Sequence, residues 1–185
     1  MKDFSGDNIK LSEDQILSIS SRQKLKAAST WLKNNGKQIH DFKAATDSKL
    51  VNVILFYGAN SLVKTDYAKN LASSTNREFY RVDLKKVGSK YIGETEKNLD
   101  KLFSDAEANN QILFFDEAEA LFGKRTDVKN SHDRYANLEV DYLLKKIEDF
   151  SSLVILSSNF KKNIDSGFTR RLMSSIYFRK PVDLK

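Results

Sequence analysis

Gln111-Ile-Leu-Phe-Phe-Asp116-Glu117-Ala118 is the stretch on which the fold is decided. Four large apolar residues run without interruption and end in two adjacent carboxylates. A short apolar run of this kind reads as a strand buried on both faces, the condition of strands in a parallel sheet covered by helices. In such sheets, ligands sit beyond the carboxyl ends of the strands, which is where Asp116 and Glu117 fall. One acid in that place can hold Mg²⁺ through water, and the next can polarise an attacking water. The plainer alternative is an acidic helix start favoured by the helix dipole.

Similar runs lie on either side. Val51–Tyr57 (VNVILFY) is a buried-strand run ending at Gly58, Glu78–Leu84 (EFYRVDL) alternates like a strand, and Leu153–Ser157 (LVILS) is again fully buried in character, with Ser175–Phe178 as a further neighbour. Between them, apolar residues recur at helical spacing. Tyr67, Ala68, Leu71 and Ala72 do so in Lys64–Ser74, Leu99, Leu102, Phe103 and Ala106 in Glu94–Asn109, and Val140, Leu143, Leu144 and Ile147 in Asn137–Phe150. Strands alternating with helices predict an α/β fold, a five-stranded parallel sheet flanked by helices. Residues 1–50 read as an N-terminal helical segment. Its apolar positions Ile16, Leu17, Ile19, Leu25, Ala28 and Leu32 are joined by Trp31, and Asn34-Asn35-Gly36 is a stop signal.

Composition narrows the function classes. The chain has 185 residues, one domain's worth, with 40% hydrophobic and 30% charged residues, which excludes a disordered chain. Without cysteine there is no disulfide framework or thiolate metal site, and His40 and His132 alone do not make a histidine centre. No apolar run approaches the ~20 residues that span a bilayer, and the first residues lack the apolar stretch of a secretory leader. The expectation is a cytoplasmic protein with no membrane partner. The excess of 31 basic over 25 acidic residues gives +6, but the lysines are interleaved with acids. A solvated surface is the expected reading, and nucleic acid is not an expected partner.

The other strand ends carry polar groups too. After the first strand comes Gly58-Ala59-Asn60-Ser61-Leu62-Val63-Lys64-Thr65, spaced like a phosphate-binding loop. In such a loop, backbone N–H groups at a helix N-terminus cradle phosphate, a lysine reaches the outer phosphates and a hydroxyl meets Mg²⁺. Asn159 follows the strand at Leu153–Ser157, and beyond it lie Asp165 and the Arg170-Arg171 pair, which can reach a phosphate held by another subunit. A basic helix end stabilised by its dipole is the alternative for that pair.

Over Phe56–Pro181 the chain resembles the AAA+ ATPases, specifically the AAA clade that remodels proteins. Phe56 through Thr65 is similar to Walker A, and Phe114 through Arg125 to Walker B and its extension. Asn159 matches sensor 1, and Asn163 through Arg171 resembles the arginine-finger region. Ser89-Lys90-Tyr91-Ile92-Gly93-Glu94-Thr95-Glu96 is similar to the pore-loop segment, and with His132 through Asn137 the wording looks most like bacterial AAA ATPases accompanying phage-tail-like contractile particles.

The resemblance implies the large subdomain of an AAA+ ATPase over residues 51–185, working as a homo- or hetero-oligomeric ring on a protein substrate with ATP and Mg²⁺. By the same resemblance, Gly58 to Thr65 and Asp116 bind the nucleotide, and Thr65 and Asp116 hold the metal. Glu117, Asn159, Arg170 and Arg171 are the catalytic candidates. Lys90, Tyr91, Ile92 and Gly93 are the substrate pore loop.

Two departures qualify this. Ala59, Ser61 and Val63 replace the family's proline and glycines in a loop where glycine supplies φ > 0, so each misfit is expected to cost about 1–3 kcal/mol and to weaken nucleotide binding. The sequence also stops where the family continues into a helical lid, so the lid is expected to be absent. A pseudo-ATPase subunit that donates arginine fingers to a partner is the rival reading.

Overall fold

The computed structural model describes residues 13–34, 51–58, 60–83, 94–122 and 131–180. Its strands are β1 (Val51–Gly58), β2 (Glu78–Val82), β3 (Gln111–Phe115), β4 (Val154–Ser158) and β5 (Leu172–Phe178). They form one sheet in the order β2-β3-β4-β1-β5, with all four pairings parallel. The α/β parallel fold expected from the sequence is therefore the observed one. β1 sits between β4 and β5 while the chain leaves it for the far edge, so the order of connection, not the strand direction, reverses beside β1. That switch point is where open α/β sheets place their ligands.

Alternation along the strands sorts side chains into two cores. On one face, Ile54, Phe56, Ile112, Phe114, Ile155, Ile176 and Phe178 pack against α2 (Ile19–Lys33) and α3 (Ser61–Ser74). On the other, Val53, Leu55, Leu113, Phe115, Val154 and Leu156 pack against α4 (Glu94–Ala108) and α5 (Ser131–Asp149). Leu99, Phe103 and Ala106 of α4 and Leu143 and Ile147 of α5 are buried there, as their spacing predicts.

The N-terminal helical pattern is broken in two. The short α1 (Glu13–Ile16) ends before Ser18, whose side chain accepts a hydrogen bond from the Ser21 N–H and caps α2. Leu17 instead forms an antiparallel bridge with Phe178, and the Arg179 N–H donates to the Ile16 carbonyl at 2.9 Å. This covers part of the otherwise open β5 edge. The break also turns Ile19 out to solvent, 69% exposed, contrary to its place in the apolar pattern, while Ala28, Trp31 and Leu32 are buried. The stop signal at Gly36 lies outside the described residues. Among the described residues, no helix is long and apolar enough to cross a membrane.

Candidate functional site

The carboxyl ends of β1, β3 and β4 meet at the start of α3. β1 ends in Gly58 at φ +112°, where an added Cβ would lie 2.1 Å from the Phe178 carbonyl oxygen. Only glycine fits this approach of β1 to β5. Asn60 then turns the chain at φ 66° and caps α3, its side-chain oxygen accepting from the Leu62 N–H at 3.1 Å and the Val63 N–H at 3.4 Å. Ser61 and Val63 lie inside α3, and neither has a positive φ. The backbone misfit expected at these two residues is absent, because the helix begins at Ser61 and takes both into its first turn. What changes instead is the occupancy of the helix N-terminus: two of its free N–H groups are held by a side chain of the same loop.

Lys64 is 1% exposed. Its ammonium donates to the Gly58 carbonyl at 3.1 Å and the Ser158 carbonyl at 2.8 Å, tying β1 to β4. Burial lowers its pKa from the ordinary 10.5, and the carboxylates of Asp116 and Glu119 oppose that shift. The Thr65 hydroxyl donates back to the Ser61 carbonyl at 2.9 Å, and the residue is buried.

Asp116 is the hub. One carboxylate oxygen accepts from the Ser61 hydroxyl at 2.7 Å and the Arg81 guanidinium at 2.7 Å; the other accepts from the Ser157 hydroxyl at 2.9 Å and the Glu117 N–H at 3.1 Å. Arg81 of β2 and Ser157 of β4 alternate with Phe79 and Ile155 and so share the α3 face with Asp116, while Ser61 comes from α3 itself. Glu117 is exposed and left-handed at φ 51°. The exposed Asn159 lies 3.5 Å through its amide nitrogen from Glu119, whose other carboxylate oxygen is buried without a hydrogen-bond partner among the described residues.

Arg170 and Arg171 follow α6 (Ser166–Thr169), which Asp165 caps through the Phe168 N–H at 2.8 Å. Arg170 is exposed, whereas Arg171 pairs with Glu148 at 2.6 Å. Beside Gly58, on the side of β1 away from α3, a cleft of about 470 Å³ opens between Tyr57, Tyr177, Asn159 and Lys161. Ala59, the Lys90–Gly93 pore-loop segment, Lys124, Arg125 and the side chain of His132 lie outside the described residues.

Of the residues singled out from the sequence, Gly58, Asn60, Ser61, Lys64, Thr65, Asp116 and Asn159 come to one rim. Leu62 is also there, with its side chain 61% exposed. Arg81, Ser157 and Glu119 were not read as site residues. Alternation in β2 put Arg81 on one face with Phe79, but its meeting with Asp116 needs β2 to neighbour β3. A buried lysine at a helix N-terminus facing a carboxylate beyond parallel strands has the chemistry that suits a phosphate and a divalent cation together, as in the P-loop class of folds.

Residues 54–180 match the model of the ATPase family associated with various cellular activities (AAA), and the chain belongs to that family. It is 35% identical over 137 residues to cell division protein C of Sulfolobus acidocaldarius, covering 69% of this chain and 37% of that protein. It is 32% identical over 119 residues to the ATPase family gene 2 protein of Schizosaccharomyces pombe, covering 63% of this chain and 15% of that one. Against human spastin the identity is 29% over 134 residues, covering 69% and 21%. The chain thus spans well under half the length of these relatives.

A chain of the solved E. coli MS115-1 HORMA:CdnC:Trip13 complex superposes with a TM-score of 0.60 at 18% identity, over 95% of this chain and 73% of that one. At that identity the likeness concerns the fold.

The family binds ATP with Mg²⁺. The donor types here fit that pair: a hydroxyl and a carboxylate oxygen suit the hard cation, and Lys64 and the α3 N–H groups suit phosphate.

Proposed function

We propose that this chain is the nucleotide-binding core of a ring-forming AAA ATPase that acts on protein, with its own nucleotide affinity reduced. The observation that carries the reading is the convergence of buried Lys64 and Asp116 on the first turn of α3. In this reading, residues 58–65 bind the phosphates, with Thr65 and Asp116 on the Mg²⁺ side. Glu117 polarises water, and Asn159 orients it. Lys90–Gly93 serves as the pore loop. An arginine of the Arg170-Arg171 pair serves the nucleotide of the next subunit. Residues 1–50 are the N-terminal helical segment and 51–185 the core, in a cytoplasmic protein of the subgroup that accompanies phage-tail-like particles.

Reduced affinity is supported by Asn60, which holds the Leu62 and Val63 N–H groups that a phosphate would use. The same contact favours a second reading, a pseudo-ATPase ring subunit that donates a finger to an ATP-competent partner. A fluorescent ATP analogue in Mg²⁺ tests the first. Asn60→Gly frees the Leu62 and Val63 N–H groups and is expected to tighten binding about tenfold or more, ~1.4 kcal/mol. Ser61→Gly with Val63→Gly, which relieves no strained φ, is expected to bind like the parent. Equal binding by the parent and Asn60→Gly removes the Asn60 contact as the limiting defect, and no binding by either favours the second reading.

A further inference from the structure

The carboxylate of Asp116 has no acceptor capacity left. A carboxylate offers about four lone-pair sites, and Asp116 receives four donors: Ser61, Arg81, Ser157 and the Glu117 N–H. Three are neutral. The fourth, Arg81, is a full cation, set by β2 opposite the register Arg81↔Phe114 so that its side chain reaches diagonally to Asp116. The Asp116 side chain is 11% exposed, so its charge is largely shielded from water, while that of Arg81 is 58% exposed and has room to leave. A buried carboxylate needs a counter-charge, and here the protein supplies one of its own.

We propose that Arg81 is the resident counter-cation of Asp116 and sets the metal affinity of this site, so that a divalent cation reaches Asp116 only by displacing the guanidinium. Two physical consequences follow. Arg81 and a divalent ion compete for the same oxygen, and both being positive, they repel one another across a few ångströms. Removing the Arg81 charge while keeping a hydrogen-bonding side chain therefore opens Asp116 to metal. Arg81 touches neither phosphate nor reacting atoms in this account; it is a positioning residue that acts through Asp116. The proposal rests on reading Asp116 as the acid that faces the cation. It does not require nucleotide, so it fails or stands separately from the assignment of ATP binding.

The test uses Mn²⁺ alone, without nucleotide, on the full chain. Free Mn²⁺ is followed by electron paramagnetic resonance, and thermal unfolding is recorded with and without the ion. Arg81→Gln is expected to bind Mn²⁺ at least tenfold more tightly than the parent and to gain thermal stability on its addition. Asp116→Asn placed in the Arg81→Gln background is expected to abolish both effects, showing that the ion sits on Asp116. Parent protein that takes up Mn²⁺ as tightly as Arg81→Gln overturns the proposal, as does Mn²⁺ uptake that survives Asp116→Asn. Should Arg81→Gln fail to fold, Arg81→Met decides, because it too removes the charge while keeping an unbranched stem. It is expected to take up Mn²⁺ at least tenfold more tightly than the parent, and uptake no greater than the parent's overturns the proposal.

Discussion

Substitution of Asn60 separates a structural role from a functional one within a single side chain. Asn60 accepts from two N–H groups, at 3.1 and 3.4 Å, while its own backbone stands at φ 66°, ψ 95°. Alanine removes the cap, which costs about 1 kcal/mol within a range of ~0.5–2, and keeps a Cβ at positive φ, worth about 1–2 kcal/mol more than glycine there. Glycine also removes the side-chain acceptor, but as a cap residue it is only a few tenths of a kcal/mol worse than asparagine, and it has no Cβ to strain. The Cβ strain is common to parent and alanine, so Asn60→Ala is expected to lose about 1 kcal/mol with the cap. Asn60→Gly sheds that strain and is expected to be about 1–2 kcal/mol more stable than Asn60→Ala.

Urea unfolding at unchanged slope reads both values. Phosphate binding is expected to move in the opposite direction. Asn60→Gly leaves the Leu62 and Val63 N–H groups open, and hydrogen bonds to a charged group are worth about 1.5–3 kcal/mol each. Tripolyphosphate binding by calorimetry is expected to tighten about tenfold or more. Alanine and glycine variants of equal stability would refute the cap-and-strain account. A folded glycine variant that binds tripolyphosphate no better than the parent would refute the claim that Asn60 occupies the phosphate's place.

Two further outcomes follow. Because burial holds Lys64 below its ordinary 10.5 in the folded chain, the unfolded chain binds more protons between that lowered value and 10.5, and stability contributed by this group rises with pH through that window. Lys64→Met is expected to abolish the alkaline rise in urea-unfolding profiles, and parallel profiles for parent and variant would contradict it. Arg170→Ala is expected to abolish any stimulation of an intact AAA ATPase mixed with this chain, given that arginine fingers are worth roughly 10³–10⁵ in rate where measured on GTPases. Arg171→Ala, which breaks the partly exposed pair with Glu148, is expected to cost at most about 1 kcal/mol of stability and to leave stimulation intact.

The sheet was legible because its strands differ in kind from everything around them. Gln111–Phe115 was read to the residue, and the alternation of Ile54 and Phe56 against Val53 and Leu55 does divide the two cores. What periodicity missed was local competition. Ser18 offered the chain a cap and broke one apparent helix into two, and Asn60 began α3 three residues before the apolar pattern did. The expectation of strained Ser61 and Val63 assumed a loop of fixed shape, whereas a helix that starts earlier accepts both. Arg81 stayed hidden for a different reason: a single sequence gives the face on which a strand residue lies but not which strand comes to lie beside it.

These contacts make the rim self-contained. Lys64 is held by two carbonyls and opposed by the charges of Asp116 and Glu119; Asp116 is held by four donors, and the α3 N-terminus is partly capped by Asn60. Such a rim meets the charges of Lys64 and Asp116 with groups of its own, and among the described residues only one oxygen of Glu119 there is buried without a hydrogen-bond partner. The same completeness makes ligand entry an exchange. A phosphate at α3 trades against the Asn60 cap, and a cation at Asp116 trades against Arg81, so each gain is reduced by the contact it replaces. The Lys64 bonds that tie β1 to β4 are a third such contact, since a phosphate that draws the ammonium takes it from the Gly58 and Ser158 carbonyls. Loss of Lys64 still differs in kind from loss of Asn60 or Arg81: it leaves the Gly58 and Ser158 carbonyls without their buried donor and loosens the sheet itself, at about 1–3 kcal/mol for each group left unsatisfied.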